Sequence, residues 1–148
     1  MDKTDCIENL LSKPYWLIDV LPKQVPAGSA GQYFKAERYF LSWLDELSRK
    51  FARVIIRLNC YYDLQMSTDG ETWILNEFPG DLARRFEESA ASHSPFSILI
   101  GSDDALVTFS GDDHYMTLYN PDDELLELVR QCAQAEGLFV WGPKQTEP

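Results

Sequence analysis

The amino-acid sequence predicts an α+β domain with a mostly antiparallel sheet, built from a hairpin and a three-stranded meander. Three to four helices are expected to pack mainly on one face of this sheet. Two observations support this fold class. Apolar residues recur at helical spacing in four segments, and short strand-like runs follow one another through turn residues instead of alternating strictly with helices.

The length and composition predict one globular domain over residues 1–148. Aromatic residues make up 13% of the chain and the hydrophobic fraction is 45%, so a substantial core can form. The three cysteines are an odd number at distant positions, which argues against a disulfide framework and fits a reducing compartment. The first residues lack the basic start and apolar run of a signal peptide, so a cytoplasmic location is expected. The tail at 142–148 is expected to be frayed.

The first third of the chain is predicted to contain two helices and a short strand. The mostly apolar run YWLIDV indicates the strand, and apolar residues at spacings of three and four indicate the helices. Ser29 and Gln32 match a capping box, which would satisfy free N–H groups where the second helix begins. The expected elements are a helix at 5–12, a strand at 15–20, a loop at 21–31 and a helix at 30–50.

Residues 52–66 show the longest alternation in the chain. Apolar side chains occupy every even position, and most odd positions are polar, with Ile55 and Tyr61 as exceptions. A period of two is typical of a strand with one buried face, so a long strand is predicted here. A turn at 67–70 and a second strand at 71–75 would complete a hairpin.

The second half of the chain is predicted to hold a meander between two helices. Turn residues separate three apolar runs, which favours three consecutive antiparallel strands. Asn120 and Pro121 are expected to begin the final helix as its cap and first turn. The expected elements are a helix at 79–91, strands at 96–100, 105–109 and 114–119, a helix at 121–136 and a closing strand at 138–141.

The negative charge is concentrated in the last third of the chain. Residues 101–148 hold ten acidic and two basic residues, a net charge of −8 out of −11 for the whole chain. Such a surface repels nucleic acid phosphates and anionic membranes, so neither is expected as a partner. It would attract a basic protein, although the charge can also serve solubility alone.

Searches for known chemical motifs give no catalytic or metal site, and no cofactor is expected. The sequence has only two histidines, His93 and His114, and it lacks CxxC and HExxH pairs and the GxSxG motif of hydrolases. The turn that ends in His114 places two aspartates beside an imidazole. Neighbouring side chains on a strand point to opposite faces, which argues against one shared ion. Cys60 and Cys132 fall on apolar faces and are interpreted as packing residues.

The polar side of the predicted long strand is a candidate binding surface. Arg53, Arg57 and Tyr61 would stand in a row along it, and an aromatic residue combined with arginines is typical of binding surfaces. The alternative is a solvated sheet face that carries cross-strand ion pairs.

Two functions from different classes follow from these patterns. The first is a protein-interaction module, such as an inhibitor, an immunity-type protein or an adaptor, that docks a basic partner through the acidic last third. Its candidate acidic residues are Asp103, Asp104, Asp112 and Asp113. The second is a small enzyme or ligand-binding domain with a pocket between helices and sheet. Its candidate wall residues are Trp16, Tyr33, Arg57, Tyr61 and His114.

Overall fold

A computed structural model describes residues 2–142, which form an α+β fold around one seven-stranded sheet. Every pair of neighbouring strands is antiparallel. The strands are β1 (Tyr15–Asp19), β2 (Leu64–Ser67), β3 (Ile74–Leu75), β4 (Phe96–Ile100), β5 (Ala105–Phe109), β6 (Tyr115–Tyr119) and β7 (Phe139–Trp141). Their order across the sheet is β3-β2-β4-β5-β6-β1-β7.

Five α-helices cover the sheet within the described residues, more than the three to four that were expected. They are α1 (Lys3–Leu11), α2 (Ala30–Leu41), α3 (Leu44–Asn59), α4 (Pro79–Ser92) and α5 (Asp123–Gln134). The last three enclose the main core on one face, while α1 packs on the opposite face. The predicted fold class is therefore confirmed, and the helices occupy both faces. None of these helices is long and apolar enough to cross a membrane.

Strand alternation explains how the sheet supports two cores. In β4, Ile98 and Ile100 face the main core, and Leu99 between them points the other way. There Leu99 meets Leu106 and Leu10 of α1, and all three side chains are buried. The central strands are therefore covered on both faces, as their continuous apolar sequence requires.

The predicted long strand at 52–66 is wrong, because most of it belongs to α3. The even-numbered apolar positions overlap a helical pattern, and Ile55, an exception to the alternation, lies fully buried on the inner face of the helix. Only Leu64 to Ser67 forms a strand, and its hairpin partner is reduced to Ile74 and Leu75. The buried apolar residues of α3 are Leu44, Leu47, Phe51, Ala52, Val54, Ile55 and Leu58.

The predicted helix at 30–50 is divided in two, and its predicted capping box is absent. The chain turns at Ser42, whose hydroxyl donates to the carbonyl of Tyr39 at 2.6 Å. Ser29 precedes α2, but its hydroxyl donates backwards to the carbonyl of Pro26 at 2.7 Å and makes no cap for the helix. Local side-chain bonds of this kind compete with helix capping.

Of the residues predicted to begin the later helices, that of α4 is confirmed and those of α5 are wrong. Pro79 begins α4, as expected. Asp122 caps α5 instead of Asn120, since its carboxylate accepts from the N–H of Leu125 at 2.8 Å. Asn120 has a positive φ of 60° and lies in the turn before the helix. Of the predicted frayed tail, only Gly142 lies within the described residues, and it is buried.

Candidate functional site

A cavity of about 340 Å³ lies on the same face of the sheet as α1, towards the β1 and β7 edge. Leu17 and Asp19 point into it from β1, and their register partners Trp141 and Tyr115 stand beside them. The loop after β1 and the first turn of α2 close the cavity from above. The loop contributes Leu21, Lys23, Gln24, Val25, Pro26 and Ala27.

A buried carboxylate and imidazole form the polar end of this cavity. His114 Nδ1 lies 2.9 Å from Asp19 Oδ1, and the two residues are only 2% and 1% exposed. The indole N–H of Trp141 donates to the other oxygen, Asp19 Oδ2, at 3.1 Å. Both carboxylate oxygens therefore have a donor, which satisfies a charge that would be costly to bury alone.

The first part of α2 adds a tyrosine and a second carboxylate to the cluster. Tyr33 and Glu37 are one helical turn apart, and the Tyr33 hydroxyl donates to Glu37 Oε2 at 3.0 Å. The same hydroxyl lies 3.0 Å from His114 Nε2, and Glu37 Oε2 lies 3.6 Å from that nitrogen. Asp19, His114, Tyr33 and Glu37 thus form one continuous network, which we call the histidine cluster.

The surroundings of His114 favour its charged form. Burial lowers the pKa of His114, but the hydrogen bond and the negative charge of Asp19, with the charge of Glu37, raise it above its ordinary value of 6.5. A protonated ring donates to Asp19 from Nδ1 and to the Tyr33 oxygen from Nε2, and Tyr33 then donates to Glu37. Each of these three hydrogen bonds then joins one donor to one acceptor.

The two tyrosines of the cavity wall lie in a negative electrostatic field. Burial, the hydrogen bond to Glu37 and nearby carboxylates raise the pKa of Tyr33 to about 12. Burial also raises the pKa of Tyr115, and the charges of Asp113, Asp19 and Glu37 add to this effect. Both phenols therefore remain protonated hydrogen-bond donors at neutral pH.

The structure separates the predicted acidic residues into two groups. Asp103 and Asp104 lie in the turn between β4 and β5, whereas Asp112 and Asp113 lie at the opposite end of β5. Lys3 binds Asp103 at 3.1 Å, so part of that charge is neutralised. The first pair lines an open groove of about 540 Å³, to which Asp122 also contributes.

The second pair of aspartates lies near the cavity described above. Asp112 is exposed and lies 3.1 Å from His93 Nδ1. Asp113 is half-buried, and burial, then the charge of Asp112, raises its pKa although His114 opposes the shift. Its carboxylate contributes to the negative field on Tyr115.

The predicted row of Arg53, Arg57 and Tyr61 on a strand does not exist. Both arginines lie on α3 one helical turn apart, and both bind the carboxylate of Glu136. Glu136 is 9% exposed, and this ion pair fastens the end of α5 to α3. Tyr61 follows the helix and is 70% exposed.

Two of the five predicted pocket residues come together. Tyr33 and His114 line the same cavity, while Arg57 and Tyr61 line a shallow depression elsewhere. Trp16 lines neither of these spaces, and its buried indole N–H has no partner among the described residues. Cys132 is buried as predicted, but Cys60, also predicted to be buried, is exposed.

Sequence reasoning missed Asp19, Glu37 and Trp141 as members of the site. The sequence did indicate Asp19, because an acidic residue inside the apolar run YWLIDV needs a buried hydrogen-bond partner. Within residues 2–142, no group of three or more histidine, cysteine or acidic side chains is arranged to hold a metal ion.

Comparisons with known proteins returned no matching family model, curated protein or solved structure. The geometry of the chain itself therefore carries the functional argument.

Proposed function

We propose that this chain is a small-molecule-binding domain that takes its ligand into the cavity beside the histidine cluster. The observation that carries the proposal is the position of His114, which is almost completely buried and lines a cavity of about 340 Å³. Concave, mostly apolar spaces with a few converging polar groups are typical of ligand sites. The cavity has both parts, because apolar loop residues face Tyr33 and His114.

The energetic cost of the cluster also supports a functional role. A hydrophobic pair would fill the positions of Asp19 and His114 without desolvating a charge, and such replacements often stabilise a fold. Retaining a carboxylate and an imidazole where the wall of a cavity forms is typical of a site that recognises polar groups. The pair can also serve catalysis, because a carboxylate that fixes His114 Nδ1 orients Nε2 as a proton acceptor or donor.

A ligand screen with a blocked cavity tests this proposal. Ala27 lines the cavity and is exposed, so Ala27→Trp should obstruct it without disturbing the core. Ala36→Trp on the exposed side of α2 adds the same bulk away from the cavity and serves as the control. Ligand-observed NMR with a fragment library should find compounds that bind the wild type and Ala36→Trp but not Ala27→Trp. Absence of such compounds would refute the proposal.

Docking of a basic protein in the cytoplasm is the second candidate function. The observation that favours it is the groove in which Asp104 and Asp122 lie together, close to the exposed Asp123 and Glu124 at the start of α5. Carboxylates near a helix N-terminus are compatible with the fold, so this surface can be acidic at little cost in stability. Complementary charge would speed association with a basic partner and make it sensitive to salt.

A capture experiment at two salt concentrations tests the docking proposal. The variant Asp104→Asn, Asp123→Asn, Glu124→Gln removes three charges but leaves the capping carboxylate of Asp122 in place. The control Glu71→Gln, Asp45→Asn, Glu46→Gln removes three exposed charges elsewhere. A specific basic partner should be retained at low salt by the wild type and the control only. Equal capture by all three proteins would exclude this surface.

A further inference from the structure

The cavity beside the histidine cluster has aromatic walls and lies among three carboxylates, and we propose that its ligand is an organic ammonium ion with an apolar body. This inference rests on the proposed small-molecule function and adds the charge class of the ligand.

The walls supply the first argument. Tyr33, Tyr115 and Trp141 all line the cavity, as does His114. The His114 ring already packs edge-on against Tyr33 and Tyr115, with ring centroids 6.0 and 5.3 Å apart. The faces of tyrosine and tryptophan carry negative charge density and attract cations, above all ammonium groups that are weakly hydrated.

The charges around the cavity supply the second argument. Asp19 lines the cavity, Glu37 accepts a hydrogen bond from the Tyr33 hydroxyl, and Asp113 precedes His114 in sequence. Burial is the main cause of the raised pKa of Tyr115, and the charges of these three carboxylates add to it. The positive charges that line the cavity are those of the His114 ring, when it is protonated, and of Lys23, which lies exposed in the loop after β1. With His114 protonated, the three carboxylates still exceed these two cations by one charge, with Asp19 on the cavity wall and the other two carboxylates outside the lining.

The hydrogen bonds of Asp19 restrict the kind of ammonium group that the cavity can accept. Its two oxygens already accept from His114 Nδ1 and Trp141 Nε1, and the residue is only 1% exposed, so a donor on a ligand has little access to either oxygen. Asp19 therefore attracts a cation through its field and not through a direct hydrogen bond. A quaternary or tertiary ammonium group, which has few or no N–H donors to satisfy, suits such an environment.

A cationic ligand would compete with the proton on His114. Both are positive charges held by the same carboxylates, so binding of one weakens binding of the other. The affinity for an ammonium ligand should therefore rise as the pH rises through the pKa of His114. The charged and titratable groups around this ring are Asp19 on β1, Tyr33 and Glu37 on α2, Asp113 and Tyr115 beside it in sequence, and Lys23 in the cavity loop.

Titration calorimetry with three matched probes tests the inference. Benzyltrimethylammonium, benzyl alcohol and phenylacetate share a phenyl ring and differ in charge. The cation should bind about tenfold more tightly than the neutral alcohol, as one desolvated cation–aromatic contact would provide. Phenylacetate should bind most weakly. Glu37→Gln should weaken the binding of the cation alone. Glu46→Gln, which changes an exposed residue on α3, should leave all three affinities unchanged.

The outcomes distinguish an error in the charge of the ligand from an error in the position of the site. If benzyl alcohol or phenylacetate binds at least as tightly as the cation and Ala27→Trp abolishes that binding, the ammonium inference is overturned and the cavity remains a ligand site. If no probe binds, the ammonium inference is overturned, and the fragment screen alone decides on the site. If the probes bind and Ala27→Trp changes none of the three affinities, the inference and the proposed function both fail. Cation binding that strengthens with rising pH and loses this dependence in His114→Gln supports the inference.

Discussion

His114 Nδ1 lies 2.9 Å from Asp19 Oδ1, although the two residues are separated by 95 positions in the sequence. The pair exists because β1 and β6 are antiparallel neighbours, in a register that places Asp19 opposite Tyr115. A slip of one residue would turn Asp19 towards the main core, where no partner for its charge is expected. The hydrogen bond and the strand register therefore stabilise each other.

Replacing Asp19 by asparagine should destabilise the protein by about 1–3 kcal/mol, the cost of a buried donor without an acceptor. In asparagine an NH₂ group replaces one of the two carboxylate oxygens. The donor of either His114 or Trp141 then faces this NH₂ group and loses its acceptor. Urea unfolding measures the change. The control Asp112→Asn alters an exposed carboxylate and should stay within about 0.5 kcal/mol of the wild type. Equal losses in the two variants would contradict the buried pair.

The free energy of unfolding should fall as the pH rises above neutrality. The pKa of His114 is raised in the folded protein relative to its ordinary value of 6.5. Protonation of His114 therefore contributes stability that is fully present below about pH 6.5 and is lost as the pH passes the folded pKa. Chemical unfolding from about pH 6 to about pH 9 should show a decline that is smaller in His114→Gln. Identical pH profiles for the two proteins would contradict the raised pKa.

Replacing Glu136 by glutamine should destabilise the protein by about 1–3 kcal/mol, because two arginines lose the negative charge that they share. Both arginines are partly exposed to water, which limits the cost. Burial raises the pKa of Glu136, but Arg57 and Arg53 outweigh it and the pKa is lowered. The ion pair thus stabilises the fold above the ordinary pKa of 4.5 and is lost as the pH falls through the folded value.

Acid unfolding provides the measurement for Glu136. The wild type should lose more stability between about pH 5 and about pH 3 than Glu136→Gln does. Glu127→Gln, which changes an exposed carboxylate on α5, should follow the wild-type curve. A Glu136→Gln curve parallel to that of the wild type would show that the ion pair is unimportant.

Gly111→Ala should destabilise the protein by about 1–3 kcal/mol through overpacking. A Cβ atom at this position would lie 2.9 Å from the Ala90 Cα and closer still to the Ser89 carbonyl oxygen, and backbone atoms of α4 cannot move aside easily. Gly28→Ala is the control, because a Cβ there would meet nothing within 4 Å. Thermal unfolding should separate the two variants, and equal melting temperatures would show that the turn before β6 can shift freely.

The central strands could be predicted from sequence because their signals are local. Turn residues flank β4 and β5, and their apolar runs match the observed bounds. The segment at 52–66 failed because its apolar residues satisfy a period of two and a period of 3.6 over the same stretch. The buried positions Phe51, Ile55 and Leu58 show that packing against the sheet and α4 decided in favour of the helix.

The site was only partly predictable, for a different reason. Tyr33 and His114 were named as wall residues on chemical grounds, but Asp19 and Trp141 reach them only through strand pairing between distant parts of the chain. Periodicity does not encode which strands become neighbours. Arg53 and Arg57 were predicted to stand in a row on a strand, whereas both lie on α3 and bind Glu136, a partner that sequence spacing does not reveal.

The placement of β1 between β6 and β7 has a consequence for synthesis on the ribosome. Both of its neighbours belong to residues 115–141, so a nascent chain carries Tyr15 to Asp19 without a pairing partner until that segment has been made. Asp19 acquires its indole donor last of all, when Trp141 emerges. A chain that stops before β7 would therefore expose one edge of β1 and leave the cavity without its tryptophan wall.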